Sequence, residues 1–201
     1  MIAGPNGSGK TTLTNELRRR SVDLGVYINP DEIASALEGS DEERARAAQA
    51  EAEARRQACL AARESFSFET VMSHPSKVEI LRQARDAGFA TALYFVSTEA
   101  ADLNVARVRQ RVALGGHPVP EDRIISRYAR TMSLLPAAID VADRVLLFDN
   151  SYRFAPAGPV LLRPFLLLER GTDGVVQVSP PIPEWGRASV EMARRQSPGS
   201  G

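Results

Sequence analysis

Nine residues near the start of the chain, Gly4 to Thr12, read GPNGSGKTT. They put Gly4, Gly9, Lys10 and Thr11 at the fixed positions of G-x-x-x-x-G-K-[ST]. Glycine lets the backbone curl so that successive N–H groups point inward at phosphate oxygens. A helix predicted from Lys10 to about Arg20 adds the positive end of its dipole. Lys10 can reach the β- and γ-phosphates, and the Thr11 hydroxyl is placed for Mg²⁺. Gly4, Pro5, Asn6, Gly7, Ser8, Gly9, Lys10, Thr11 and Thr12 are thus expected to bind ATP, with Thr11 on the metal side. Composition sharpens the motif: of 25 basic residues only Lys10 and Lys77 are lysine. A dinucleotide fingerprint is excluded although Asp31 lies about twenty residues on, because the glycine spacing is not G-x-G-x-x-G.

A loop of this kind needs a strand before it and a helix after it, and the rest of the chain supplies the pattern. "GVYIN" reads as a short strand, and Pro30 opens a helix to about Glu38. Ser40 to Ser65 reads as one long Ala/Arg/Glu helix, with Ser40 as cap and acids in the first turn. "FSFET" is a strand, Pro75 to Ala87 an amphipathic helix stopped by Gly88, and "ATALYFVS" a buried parallel-type strand. Helices over about Glu99–Leu114 and Pro120–Leu135 flank "GGHPVP", and "RVLLFDNS" is another buried strand. "FLLLERGTDGVVQVS" carries a hairpin signal, residues 183–195 a last helix, and "QSPGSG" a disordered tail. The fold expected is α/β: a mainly parallel central sheet with helices on both faces and a C-terminal antiparallel hairpin. One domain over residues 1–195 suits 201 residues that are 43% hydrophobic.

Balanced charge, 25 basic against 25 acidic residues, argues against bulk binding to nucleic acid or an anionic membrane. Cys59 is the single cysteine, which excludes an intrachain disulfide and a cysteine-rich metal site. No apolar run reaches 18 residues, so a cytoplasmic protein is expected.

In open α/β sheets ligands bind at the carboxyl ends of strands. Polar residues collect there: Asn29 and Asp31, Glu69 and Thr70, Ser97, and Asp149, Asn150 and Ser151. Asp31 is the candidate to take a proton from a hydroxyl beside the γ-phosphate, and Glu69 the second carboxylate; Asp31 also suits a helical first turn. "RVRQRVALGGHPVPEDRIISRYAR" carries Arg107, Arg109, Arg111, Arg123, Arg127 and Arg130. Arg123, Arg127 and Arg130 fall on one helical face, and Arg107 and Arg111 on another. Two arginine faces joined by Gly115-Gly116 read as a lid over about 107–130, or else as a solvated face paired with Glu121 and Asp122. His74 and His117 each precede proline and read as loop residues.

In these stretches the chain resembles the zeta-toxin family of phosphate-loop kinases, in the bacterial branch often labelled predicted ATPases. The matching stretches are "GPNGSGKTT", "INPDEIA", "FSFETVMSHPSK", "GFATALYFVST", "RVRQRVALGGHPVPEDRIISRYAR" and "ADRVLLFDNS", covering Gly4 to Ser151. The resemblance implies a P-loop NTPase fold with the first strand central, and transfer of the ATP γ-phosphate, with Mg²⁺, to a hydroxyl of a small molecule. In zeta toxins that molecule is a UDP-linked N-acetyl amino sugar, and a protein antitoxin is the implied partner. Asp31 falls at the catalytic base, Asn29, Glu69 and Thr70 at the substrate, and Arg111 and Arg123 at the lid arginines. Arg127 falls on the ATP side, and Asn150 where relatives contact adenine. "TVMSHPSK" after Glu69 differs from the glycine-threonine-arginine run of characterised toxins, which leaves the acceptor open. An ATP-dependent switch acting on a partner is the alternative from another class.

Ahead of the loop stand only Met1, Ile2 and Ala3, where relatives carry five or six apolar residues. Either the strand begins before Met1 or it is unusually short and the loop less rigidly held.

Overall fold

The computed structural model describes residues 1–151 and 164–195; the expected tail at 196–201 lies outside them. The elements are β1 (Ile2–Ala3), α1 (Lys10–Arg19), β2 (Val26–Ile28), α2 (Pro30–Ser35) and α3 (Asp41–Ala62). Then come β3 (Phe66–Thr70), α4 (Ser76–Asp86), β4 (Ala92–Ser97), α5 (Ala101–Ala113) and α6 (Glu121–Val141). The chain continues through β5 (Arg144–Asp149), β6 (Phe165–Arg170), β7 (Val176–Val178) and α7 (Glu184–Arg195).

One seven-stranded sheet runs in the order β2-β3-β1-β4-β5-β6-β7. The first five strands of that order are parallel, and β6 and β7 are antiparallel additions at one edge. The P-loop NTPase fold expected from the motifs is the fold that forms. Although β1 has two residues, it is central: Ile2 pairs with Glu69 on one side and Tyr94 on the other. Ladder bonds continue ahead of it, with Tyr94 N donating to Met1 O at 2.9 Å and the Met1 amine to Ala92 O at 2.7 Å. Burial within the sheet lowers the pKa of that amine to about 5.

The pleat sorts side chains by parity. Val26, Ile28, Phe66 and Phe68 join the larger core cluster, which also receives Ala52 and Cys59 of α3, Leu81 of α4, Leu135 of α6 and Val190 of α7. Ile2, Tyr27 and Val96 face the opposite side, where Leu13 and Leu17 of α1 cover them. Helices therefore pack on both faces. The sheet end near the phosphate loop is lined by the intervening positions, Ser67 and Glu69, which share parity with Tyr27 by the register Tyr27↔Ser67.

Local chemistry explains most boundaries. Ser40 and Glu43 form a reciprocal capping box at the start of α3. Arg56 of that helix is only 1% exposed, bonded to Glu53 at 2.6 Å and 5.1 Å from the Phe68 ring centroid. The second helix of the arginine-rich stretch runs past its expected end at Leu135, through Pro136 to Val141. Proline interrupts one intrahelical bond, yet Ala138, Ile139 and Val141 beyond it are buried in the core, which outweighs the loss. Arg170 on β6 then donates to the carbonyls of Ile139 and Ala142 at the end of α6.

Candidate active site

The loop between β1 and α1 is folded against its surroundings on all sides but one. Gly4 has φ 153°, and a Cβ there would meet the Val96 carbonyl oxygen at 2.0 Å. Gly9 has φ 102°, and a Cβ there would meet Asn150 Nδ2 at 2.3 Å. Gly7 packs on the Asn104 backbone of α5. Ser8 is fully buried, and its carbonyl accepts from Asn150 Nδ2 at 2.8 Å. Asn150 is itself fixed, donating from N to Ser97 O at 2.8 Å and accepting at O from Arg107 Nη2 at 2.7 Å. The open side is the first turn of α1, where Thr11 and Thr12 are exposed.

Lys10 folds over the loop and donates from Nζ to Gly4 O and Pro5 O, both at 3.0 Å. Burial lowers its pKa; Glu69 and Asp31 pull it back up, while Arg111 and Arg127 push it down. Four of the residues singled out in the sequence thus surround Lys10 electrostatically, two acids and two arginines. Arg127 is half-buried, and its own pKa is lowered by desolvation and then by Arg123 and Arg130 beside it.

The chain's donors fit a nucleotide triphosphate with Mg²⁺. A lysine short of solvent and answered by loop carbonyls gains when phosphate replaces them, and the curled loop ends at a helix N-terminus. Among the described residues no cluster of three His, Cys, Asp or Glu side chains could hold a metal. The side chain that would hold Mg²⁺ is the exposed Thr11 hydroxyl, together with phosphate and water oxygens.

Glu69 is 5% exposed. Thr14 Oγ1 donates to its Oε1 at 2.5 Å and Tyr27 Oη to the same oxygen at 2.7 Å. Asp31 is exposed in the first turn of α2, whose cap is Asn29: Asn29 Oδ1 accepts from Asp31 N at 3.0 Å. Thr70 turns to the backbone instead, its hydroxyl accepting from Met72 N at 3.0 Å.

The α5–α6 arm holds the arginines in different states. Arg109 is bidentate to Glu121 at 2.5 and 2.7 Å, the solvated pairing that the sequence allowed. Arg111 Nη2 donates to His117 O at 3.2 Å, while Arg127 turns toward Asp31 and Lys10. Tyr128 Oη donates to Thr98 O at 2.8 Å and Thr131 Oγ1 to Val71 O at 2.8 Å, anchoring α6 to the sheet end. At the far end of the arm Leu114 is 83% exposed. His74 accepts at Nδ1 from Ser76 N at 3.2 Å, in the turn before α4.

The structure gathers Lys10, Asp31, Glu69, Arg111 and Arg127, with Arg123 joining through Arg127. Asn150 bonds the loop at Ser8, and Thr70 is the last residue of β3. Sequence reasoning missed Thr14, Tyr27 and Asn104. Thr14 carried a signal, being one helical turn from Lys10, and Tyr27 shares a strand face with Asn29. Asn104 carried none.

A cleft of about 330 Å³ also opens between Glu99, Asp149 and the Pro181–Pro183 approach to α7. It lies away from Lys10, and Asp149 there is already bonded by Trp185 Nε1 at 3.0 Å and Ser151 Oγ at 2.7 Å.

Comparison with known proteins places the fold. A family model described as an AAA domain matches residues 1–134. An uncharacterized protein of Haemophilus influenzae is 28% identical over 131 residues, 62% of this chain and 88% of its own. Among solved structures, a chain from the PezAT chromosomal toxin-antitoxin system of Streptococcus pneumoniae shares the fold with a TM-score of 0.51. It is 15% identical, over 74% of this chain and 68% of that chain. The family model bears out the phosphate-loop domain read from the motifs, and the solved chain shares its fold.

Proposed function

The chain belongs to the AAA domain family, and on that premise we propose that it is an ATP-dependent phosphotransferase of zeta-toxin type. Its acceptor is a hydroxyl of a small molecule, with a UDP-linked N-acetyl amino sugar as the first candidate. The observation that carries the reading is the set of charges acting on Lys10: two carboxylates, Asp31 and Glu69, and two arginines, Arg111 and Arg127. A hydrolytic switch needs the loop and lysine but not two carboxylates facing them.

In this reading the loop N–H groups and Lys10 bind the phosphates, and Lys10 exchanges its loop carbonyls for β- and γ-oxygens. Mg²⁺, held by Thr11 with phosphate and water oxygens, would neutralise charge on the β- and γ-phosphates. Glu69, Thr70 and Asn29 orient the acceptor. Its hydroxyl oxygen bonds to the γ-phosphorus as the bond to ADP breaks, and Asp31 takes the hydroxyl proton. Arg111, Arg123 and Arg127 close on the transferring group as a lid and exclude water, which otherwise competes as acceptor. Asn150 holds the loop from the adenine side. The reaction belongs in the cytoplasm, where ATP is supplied. A protein antitoxin is the partner we propose, because the solved neighbour comes from a toxin-antitoxin system.

The test is incubation with γ-labelled ATP and Mg²⁺ over a panel of UDP-sugars, free sugars, nucleosides and short oligonucleotides, with Lys10→Ala as control. Label on a UDP-amino sugar is expected. Label on another small molecule keeps the kinase and replaces the acceptor; ATP binding with no transfer to any acceptor overturns the reading.

A further inference from the structure

Tyr27 of β2 and Asn29 just after it lie two apart, so the pleat turns both to the face that carries Glu69, one residue from the end of β3. The contacts there form a chain. Asn29 Nδ2 donates to Tyr27 Oη at 3.3 Å, and Tyr27 Oη donates to Glu69 Oε1 at 2.7 Å. The other end of the Asn29 amide accepts from Asp31 N at 3.0 Å. Thr14 from α1 bonds the same Glu69 oxygen, so among the described residues Oε2 receives no hydrogen bond. The Arg18 guanidinium lies 4.2 Å from the Tyr27 ring centroid and holds the ring from outside.

We propose that Tyr27 is a positioning residue of the phosphoryl-transfer site: its hydroxyl fixes the Glu69 carboxylate and, by way of Asn29, ties it to the helix start that carries Asp31. The proposal rests on the kinase reading above for its function, and on geometry for the tie itself. Phenylalanine would fill the same apolar place beside Leu17 and Leu13, so packing alone does not call for the hydroxyl. With Oε1 engaged by two hydroxyls, Oε2 is the oxygen offered to an acceptor. The two carboxylates of the site then keep a fixed spacing although they stand on different elements. Burial, and then the bond to Glu69, push the Tyr27 pKa far above the ordinary tyrosine value. The hydroxyl therefore stays a donor at neutral pH. Lys10, Thr14 and Arg18 of α1, Asp31 and Glu32 of α2, and Arg111 and Arg127 of the arm are the charged and polar groups around this chain of bonds.

Two measurements on the full chain test the tie and its function separately. In the kinetic one, Tyr27→Phe is assayed with UDP-N-acetylglucosamine and with any acceptor found by the labelling panel. We expect the acceptor KM to rise about tenfold and the KM for ATP to change less than about twofold. In a Glu69→Gln background the same substitution should have no further effect. If the tyrosine only packs, Tyr27→Phe leaves Tm and both KM values in place, alone and in the Glu69→Gln background; that result overturns the proposal. The second measurement is proton NMR of the nucleotide-free protein. A slowly exchanging hydroxyl resonance that Tyr27→Phe removes and Glu69→Gln shifts is expected. Its indifference to Glu69→Gln overturns the tie whatever the enzyme does. If the wild type labels no acceptor while this resonance behaves as expected, the kinase reading has failed and the tie has not.

Discussion

Asn150 Nδ2 donates to Ser8 O at 2.8 Å, joining the turn after β5 to the phosphate loop across most of the chain. The amide is 4% exposed, so removing it strands a buried carbonyl beside an empty space. Asn150→Ala should lower stability by about 1–3 kcal/mol, read as a fall in Tm, and weaken ATP and GTP alike. A loss of preference for ATP over GTP with unchanged Tm would instead make Asn150 a reader of the base.

Lys10 gives a second expectation with an unusual sign. Its pKa is lowered in the nucleotide-free fold, chiefly by desolvation, so its charge is a penalty there. Lys10→Met should therefore leave the nucleotide-free protein as stable as the wild type, or more so, and abolish the rise in Tm that Mg·ATP produces. The pH dependence follows. The unfolded chain holds the Lys10 proton up to its ordinary pKa of 10.5, higher than the folded chain does. In the window below 10.5, wild-type stability should rise with pH relative to Lys10→Met. Thermal melts of both proteins across that window check it.

For Asp31 the prediction separates binding from chemistry. Asp31→Asn keeps the size of the side chain and leaves the backbone N–H to Asn29 Oδ1 in place. Transfer to the acceptor should fall by about 10²–10⁴, the range for a missing general base, while calorimetry finds ATP bound as before. Undiminished transfer removes Asp31 as the base.

The arm arginines should not behave alike. Arg109 is exposed and paired with Glu121, and Arg109→Ala should leave Tm and kcat close to wild type. Arg127 is half-buried among Arg123, Arg130 and Asp31, and its removal should cut kcat by about 10²-fold or more. Side-by-side initial rates with saturating ATP distinguish the two.

The sequence carried the architecture because its strong signals are local. The Gly-x-x-x-x-Gly-Lys-Thr loop, the Ser40–Glu43 cap and the alternation in FSFET each follow from a few neighbouring residues. What escaped it was set by distant contacts. Pro136 read as a helix end because a proline costs a helix about 3 kcal/mol locally, whereas burial of Ile139 and Val141 against the sheet decides otherwise. Asp31, Glu69 and the arginines were legible as chemistry-bearing residues at strand ends. That Arg107 serves the backbone of Asn150, and that Tyr27 and Thr14 share one oxygen of Glu69, depends on register and helix rotation. No spacing rule contains those.

The brevity of β1 has a consequence for the order of folding. Its two residues make ladder contacts only with β3 and β4, which lie far along the chain. Contacts of high sequence separation form late, because the intervening loop must first be closed. The strand that carries the phosphate loop is thus among the last to be fixed, once the strands on both its flanks stand ready to receive it. Nucleotide binding should therefore require the assembled sheet and not the motif alone.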